Sequence, residues 1–301
     1  MRRRDPPERP ITRRRALQLL TSGAATLVLA ALGASGVRQA DELVIERIGA
    51  RLSGLTEPLR VAFVSDLHYG PYTRAPRVAR WVDAVLSTAP DLVLLGGDLV
   101  DRYAPRDLMP LLDELARLAE RSAPLGTFAV LGNHEYGRFL DPRPFLRDLD
   151  AVGVTPLVNA GVTLAGGLYL AGVDDHRRGT PDLRAALAGR AEAAPTVLVS
   201  HNPDLLPLVP LDVQLTLCGH THGGQVRPPF VGPLVTSSEY GRRFVAGWVD
   251  GPARGYVSRG LGVGFLPVRW DCPPELTLLE LTPTAIGSDT PAVTAQRERV
   301  C

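Results

Sequence analysis

The chain has 301 residues, of which 45% are hydrophobic, and its 33 basic residues nearly balance its 32 acidic residues. This length is sufficient for one large α/β domain with a single core. No basic run of the kind that binds nucleic-acid backbones follows residue 37, so we expect no nucleic-acid partner. The three cysteines are odd in number and unpatterned, and they indicate no disulfide framework.

The N-terminal segment, residues 1–37, has the composition of an export signal. Seven Arg precede residue 16, and residues 16–37 then contain no charge. Residues Thr12–Leu17 resemble a twin-arginine (Tat) motif, although Ala16 replaces the usual bulky residue and leaves the Sec route open. The uncharged run could cross a bilayer of ~30 Å at ~1.5 Å per residue, so we expect a signal peptide or a retained membrane anchor. An ordinary amphipathic helix is the alternative.

The positive-inside rule places the domain outside the cytoplasm, either membrane-associated, periplasmic or at the cell surface.

Five apolar runs that read as strands each end in a cluster of polar residues. The runs are 61–64, 92–95, 128–131, 197–199 and 215–218. The polar residues that follow them are Asp66, His68, Asp98, Asp101, Asn133, His134, His201, His220 and His222. Because open α/β sheets place their active sites at the carboxyl ends of strands, we expect these side chains to meet at one edge.

The chemistry of these side chains predicts a metal site. Carboxylate, amide and imidazole ligands without a thiolate suit Mn, Fe or Zn, whereas a structural zinc site normally uses Cys. Without Asp101 and His134, the residues named above provide seven candidate ligands. Seven ligands are too many for one tetrahedral ion, but they suit two ions about 3.5–4 Å apart that share a bridging carboxylate. Such a pair lowers the pKa of a shared water, and the resulting hydroxide can attack phosphorus.

The motifs D-x-H, G-D-x-x-D, G-N-H-E, H and G-H-x-H occur in this order between about Leu59 and Leu281. This pattern resembles the calcineurin-like metallophosphoesterase superfamily. The resemblance implies two divalent ions held by two sets of terminal ligands, with Asp98 as the bridge. The terminal ligands would be Asp66, His68 and His222 for one ion, and Asn133, His201 and His220 for the other.

The same resemblance implies that His134 has a catalytic role and does not bind a metal. The corresponding histidine contacts the phosphoryl oxygen and protonates or stabilises the leaving group. Asp101 is the candidate carboxylate that orients His134 and keeps it protonated. Arg102 follows as a candidate substrate contact, with a solvated loop residue as the alternative.

Alternation of strands with helical patterns predicts a four-layer αββα sandwich of two mixed sheets. Apolar faces at Val78–Val85 and Leu108–Leu118 predict helices that pack on the sheet. Shorter strand-like runs at 162–164, 168–171, 255–257 and 276–281 suggest the second sheet. The catalytic domain would span 38–283, and residues 284–301 lack a core-forming pattern and are expected to be disordered.

The leading hypothesis is an exported phosphodiesterase or pyrophosphatase. The exported and membrane-associated members of the superfamily include enzymes that resemble this chain and that cleave UDP-2,3-diacylglucosamine or related phospholipid-like substrates. This resemblance suggests a lipid-linked or nucleotide-linked phosphoester. The alternatives are a phosphomonoesterase acting on phosphoproteins or small phosphates, and a metal-binding protein without turnover. Two apolar, Pro-containing segments, 228–234 and 264–270, are either packed loops or an apolar rim for a lipid-like substrate.

Overall fold

A computed structural model of the protein describes residues 33–121, 123–249, 254–284 and 295–300. Within these residues the strands form two mixed sheets, of seven and six strands. The strands in chain order are β1 (Val44–Ser53), β2 (Leu59–Val64), β3 (Leu92–Leu95), β4 (Thr127–Ala129), β5 (Val154–Pro156), β6 (Ala160–Thr163), β7 (Tyr169–Gly172), β8 (Thr196–Val199), β9 (Leu215–Cys218), β10 (Gly247–Val249), β11 (Gly255–Val257), β12 (Glu275–Thr284) and β13 (Ala295–Arg299). The first sheet has the order β13-β1-β12-β2-β3-β4-β5, and the second has the order β10-β11-β9-β8-β7-β6.

Helices cover the outer face of each sheet. The α-helices that follow β1 are α1 (Ala75–Ser87), α2 (Met109–Arg121), α3 (Asn133–Arg138), α4 (Arg143–Ala151) and α5 (Leu183–Leu187). The apolar faces of α1 and α2 pack on the outer side of the first sheet. The side of the second sheet that carries α5 has a smaller cluster, which includes Ala186 and Leu205.

The main core lies between the two sheets. Phe63, Leu94 and Phe128 of the first sheet pack against Leu170 and Val199 of the second. The strands β2, β3 and β4 are buried almost throughout, which explains why they read as continuous apolar runs and not as alternating ones. The prediction of an αββα sandwich with two mixed sheets is confirmed.

Parallel pairing determines where the functional side chains lie. Strands β2, β3 and β4 are parallel neighbours in the first sheet, and β8, β9 and β11 are parallel neighbours in the second. Their carboxyl ends therefore lie at one edge of each sheet, and the loops that follow them face each other across the sandwich.

Two predictions about the C-terminal part need correction. The run at 276–281 lies in β12 of the first sheet, between β1 and β2, and not in the second sheet. The expectation of a disordered tail over 284–301 is wrong for residues 295–299, which form β13 and pair antiparallel with β1. The first sheet thus includes strands from the C-terminal part of the chain. Such long-range pairing cannot be predicted from local sequence patterns.

The predicted signal segment falls almost entirely on residues 1–32, which lie outside the described residues. Its last residues are part of a helical stretch at 33–39. Among the helices that the structure describes, none is both long enough and apolar enough to span a bilayer.

Candidate metal centre

The predicted ligands converge at the facing carboxyl ends of the two sheets, around the carboxylate of Asp98. This residue follows β3, and its Oδ2 lies 3.2 Å from Nε2 of His201 and 3.5 Å from Nε2 of His68. His201 follows β8 of the second sheet and His68 follows β2 of the first. Asp98 therefore lies between ligands from both sheets, as a bridging residue would.

The first ligand group consists of Asp66, His68 and His222. Oδ1 of Asp66 lies 3.9 Å from Nε2 of His68 and 3.6 Å from Nε2 of His222. The two Nε2 atoms are themselves 3.0 Å apart. All three side chains are buried, and the ligand atoms are close enough together to share one cation.

The second group contains His201 and His220, whose hydrogen-bond partners fix their tautomers. Nδ1 of His201 lies 2.8 Å from the Gly96 carbonyl oxygen, and Nε2 of His220 lies 3.2 Å from the Ser237 carbonyl oxygen. Since a carbonyl only accepts, each of these nitrogens must donate, which leaves Nε2 of His201 and Nδ1 of His220 as bare lone pairs in the neutral rings. These two atoms face each other at 3.2 Å.

These contacts fit divalent cations. Two unprotonated ring nitrogens at 3.2 Å repel unless a proton or a cation lies between them. In the same cavity, Oδ1 of Asn133 is buried and has no hydrogen-bond partner among the described residues. A buried amide oxygen without a partner is costly, and oxygen and imidazole ligands together suit Mn, Fe or Zn. Asp66, His68 and His222 would hold one ion, with Asn133, His201 and His220 holding the other.

Burial and mutual proximity strongly perturb the pKa values of these groups. Burial and the charge of His201 lower the pKa of His220 to about 3. Burial, aided by His68 and Arg269, holds the pKa of His222 well below its usual range. Burial alone would raise the pKa of Asp98, but the charges of His201 and His68 outweigh it and bring that pKa down. His220 and His222 thus stay deprotonated, which is the form that binds a metal. Burial would lower the pKa of His201 as well, but the charge of Asp98 and its hydrogen bond outweigh it and hold that pKa well above its usual range.

Backbone strain is concentrated at these ligands. Asp66, His68, Asp98, His220 and His222 all have φ between 49° and 71°, in the left-handed region. Each such non-glycine residue costs of order 1–3 kcal/mol and persists only where the surrounding structure enforces it. Three of the motifs therefore hold their ligands in a conformation that the free chain would avoid.

Two motif glycines allow the carboxylates to approach the backbone closely. A Cβ on Gly132, the first residue of G-N-H-E, would collide with Oδ1 of Asp98. A Cβ on Gly219, the first residue of G-H-x-H, would collide with Ser65 and with Oδ2 of Asp66. These glycines have a steric function, because any larger residue would displace a predicted ligand.

Glu135 is a buried residue of the centre for which no role was predicted. Its Oε2 accepts the backbone N–H groups of Asp98 at 3.1 Å and Gly132 at 2.7 Å, and its Oε1 accepts that of Val100 at 3.0 Å. One carboxylate thereby fixes the loop after β3 to the loop after β4. Burial and the neighbouring charge of Asp98 raise the pKa of Glu135 to about 7. In the sequence, the only indication of this role is that a charged residue directly follows Asn133 and His134.

His134 lies beside the predicted ligands and contacts Asp101 and Arg102. Its Nδ1 is 3.3 Å from Oδ2 of Asp101, and its Nε2 is 3.3 Å from Nη2 of Arg102. Burial would lower the pKa of His134, but the hydrogen bond to Asp101 and the charge of Asp98 outweigh it and raise that pKa. Despite burial, which acts the other way, hydrogen bonds from His134 and His68 lower the pKa of Asp101. The pair therefore favours a protonated imidazole beside an ionised carboxylate.

Oδ2 of Asp101 also lies 3.5 Å from Nδ1 of His68. The carboxylate thus sits between a predicted ligand and the predicted acid, and it can orient both rings. This second contact was not expected from the sequence.

A polar cavity of about 270 Å³ opens above the centre. Asp98, Asn133, His134, His220 and His222 form part of its lining, together with the predicted substrate contact Arg102 and a second guanidinium, Arg177. Sequence reasoning did not identify Arg177, which belongs to the loop after β7. The carboxylate of Asp175 accepts the backbone N–H of Arg177 at 3.0 Å and that of Arg178 at 2.7 Å, and so shapes this loop. Two cationic side chains above a metal centre suit an anionic substrate.

Comparison with known proteins agrees with this geometry. The family described as calcineurin-like phosphoesterase matches residues 59–224. The chain is 31% identical over 235 residues to the uncharacterized metallophosphoesterase YkuE of Bacillus subtilis, covering 75% of this chain and 79% of that protein. It is 34% identical over 237 residues to the phosphodiesterase YaeI of Escherichia coli, covering 74% and 82%. An uncharacterized metallophosphoesterase of Aquifex aeolicus is 33% identical over 236 residues, covering 74% and 85%.

The matched segment includes the loops after β2, β3, β4, β8 and β9, which carry all seven predicted ligands and His134. The chain therefore belongs to the calcineurin-like phosphoesterase family and is a metal-dependent hydrolase of phosphoric esters.

Proposed function

We propose that this protein is a phosphodiesterase or pyrophosphatase that acts outside the cytoplasm on a phospholipid-like or nucleotide-linked substrate, such as UDP-2,3-diacylglucosamine. The observation that carries this proposal is a second, apolar cavity of about 380 Å³ beside the polar one. The two cavities share His222, Ser237 and Phe265. A substrate with a phosphoester at the metal centre could therefore extend an apolar group into the adjoining space.

The lining of the apolar cavity supports a hydrocarbon ligand. Its walls come from the segments after β9 and β11, and include Val226, Leu234, Val235, Leu266 and Val268. Its volume falls in the range of about 300–1,000 Å³ that is typical of small-molecule sites. Apolar walls of this kind bind hydrocarbon by removing it from water, and a small inorganic phosphate would leave them unused.

The proposed reaction needs a nucleophile, charge stabilisation and an acid. Two divalent ions, when bound, lower the pKa of a water and neutralise charge on the phosphoryl oxygens. His134, protonated and oriented by Asp101, would donate a proton from Nε2 to the departing oxygen. Arg102 and Arg177 would bind the remaining anionic oxygens from the cavity wall. We assign Asp98 as the bridging ligand, and Mn, Fe or Zn as the ions.

The proposed location rests on the N-terminal sequence. Its arginines and the uncharged run 16–37 support export by the Tat or Sec machinery, and a folded metalloenzyme would suit the Tat route. Membrane association would follow if the segment is retained.

The test is a hydrolysis panel on the metal-loaded full-length protein. The substrates are p-nitrophenyl phosphate, bis-p-nitrophenyl phosphate and UDP-2,3-diacylglucosamine, with metal content measured on the same sample. We expect the diester and the lipid-linked pyrophosphate to be cleaved much faster than the monoester, and Asp98→Asn to abolish all three activities. Preference for the monoester would make the protein a phosphomonoesterase. Two bound metals without turnover on any substrate would contradict hydrolysis altogether.

A further inference from the structure

Exposed apolar side chains lie on the two loops that line the apolar cavity. This group, the apolar rim, consists of Phe230, Val231, Leu234, Val235, Phe265 and Leu266. Phe230 is fully exposed and Phe265 is 79% exposed. Singly exposed apolar residues are ordinary on protein surfaces, but six on two loops that line one cavity are typical of a surface that contacts a partner or a membrane.

The loop that carries Phe230 is held in place by its own backbone. The N–H groups of Val231 and Gly232 both donate to the Pro228 carbonyl, and that of Leu234 donates to the Val226 carbonyl. Phe230 itself has φ +66°, a conformation that a bulky residue rarely adopts. The fold therefore holds a strained phenylalanine in solvent, where neither core packing nor turn chemistry requires that residue type.

The N-terminal end of the described chain packs against the second loop of the rim. Arg269 donates its backbone N–H to the Gly36 carbonyl at 2.9 Å, and Cys272 donates to Oε1 of Gln39 at 3.2 Å. Residues 16–37, the uncharged run of the sequence, therefore end next to the loop of Phe265 and Leu266. The point at which this segment joins the domain is therefore close to the second loop of the rim.

The charges around the rim complement an anionic surface. The two loops, 226–235 and 264–270, contain no acidic residue. Arg227 lies within the first loop, and the exposed guanidinium of Arg242 lies next to Gly232 at its tip. Arginine beside exposed aromatic and aliphatic side chains is the pattern of a surface that inserts into the headgroup region of anionic lipid.

We propose that the apolar rim docks on a bilayer of anionic phospholipid, with Phe230 and Leu234 inserted at the level of the headgroups. The mouth of the apolar cavity then faces the lipid, so an apolar group can enter it without crossing water. This docking concerns binding alone and does not depend on which phosphoester is cleaved.

The experiment places tryptophan probes in the full-length protein. Phe230→Trp and Leu234→Trp report the rim, and Leu211→Trp is the matched control. Leu211 is 75% exposed and precedes β9, so it lies at the amino end of a strand whose carboxyl end carries the metal centre. Each variant is compared with the unchanged chain, whose Trp81, Trp248 and Trp270 provide the background. The vesicles contain phosphatidylglycerol with or without bromine on the acyl chains.

We expect brominated vesicles to reduce the added emission of Phe230→Trp and Leu234→Trp by roughly two-fold, and to leave that of Leu211→Trp unchanged. Arg242→Gln in the Phe230→Trp background should weaken the quenching in phosphatidylglycerol. Phe230→Ser should leave hydrolysis of soluble bis-p-nitrophenyl phosphate unchanged, since Phe230 lines neither cavity.

Three results would overturn the proposal. The first is equal quenching at positions 211 and 230, which would mean that the domain approaches the bilayer in no preferred orientation. The second is the absence of quenching at both rim probes in vesicles that retain the protein. The third is a blue-shifted rim emission without lipid, together with a dimeric mass by light scattering, which would identify a second copy of the chain as the occupant.

Discussion

Glu135 provides a test of how the metal centre is held in place, because it contacts the backbone and no predicted substrate group. Its carboxylate accepts three buried N–H groups, those of Asp98, Val100 and Gly132. Glu135→Gln keeps the size of the side chain but replaces one oxygen with a donor. In the most favourable orientation, the remaining oxygen keeps its hydrogen bonds from the N–H groups of Asp98 and Gly132. The new NH2 group then faces the N–H of Val100, and neither group can accept from the other.

The expected cost follows from this geometry. One buried donor without a partner costs about 1–3 kcal/mol, so Glu135→Gln should lower the free energy of unfolding by about that amount. Glu135→Ala leaves all three donors without a protein partner and should cost at least about 2 kcal/mol more, although water that enters the space would recover part of it. Because the N–H of Asp98 is one of the three, we also expect weaker metal binding in both variants.

The assay is urea denaturation of the metal-free protein at neutral pH, followed by titration with Mn²⁺ or Zn²⁺. Glu114→Gln on α2 is a suitable control, since Glu114 contacts Arg117 near the surface and is distant in sequence from all ligands. Its loss should cost no more than an ordinary surface pair, about 0–1 kcal/mol. If Glu135→Ala is as stable as the control and binds metal normally, these hydrogen bonds do not fix the centre and the argument fails.

Three further predictions concern the chemistry. Asp98→Asn should remove activity and metal together, as measured by elemental analysis and turnover, because the residue lies between both ligand groups; two retained metals with near-normal turnover would exclude a bridge. His134→Ala should retain both metals and lose roughly 10²–10⁴-fold in turnover of alkyl phosphodiesters. The loss should be much smaller on p-nitrophenyl esters, because their leaving group needs little protonation. Equal loss on both kinds of ester would make His134 a stabiliser of phosphoryl oxygens. Asp101→Asn should move the alkaline limb of the pH–rate profile to lower pH, because Asp101 raises the pKa of His134 and the acid form is lost as pH rises through that pKa; an unmoved limb would assign it to another group.

The sequence predicts which side chains lie together at the facing ends of the two sheets, because each of them directly follows an apolar run. Runs of this kind form parallel strands, and parallel strands end at one edge. Asp66, Asp98 and His201 could therefore be placed together without knowledge of the strand order. The same reasoning could not find Glu135 or Arg177. Their importance lies in backbone contacts and in the path of a loop, and neither leaves a periodic signal.

The edges of the first sheet could not be predicted for a different reason. Strand β1 pairs with β12 in parallel and with β13 in antiparallel, and both partners lie more than 200 residues further along the chain. Partner choice over such distances depends on which edge the rest of the fold leaves open. For that reason 276–281 was assigned to the wrong sheet, although its strand character was correct.

The centre joins the two halves of the sandwich, and this explains why its ligands can be held in strained conformations. Asp66, at the end of β2 in the first sheet, accepts the backbone N–H of His220, at the end of β9 in the second, at 3.0 Å. The carbonyl of Asp66 accepts the N–H of Gly262, which follows β11. Such bonds fix the left-handed backbone of both ligands even before a cation binds. Strain of a few kcal/mol is small against the burial of apolar surface between the sheets, so the core can hold the ligands in place and the metals can bind a nearly preformed site.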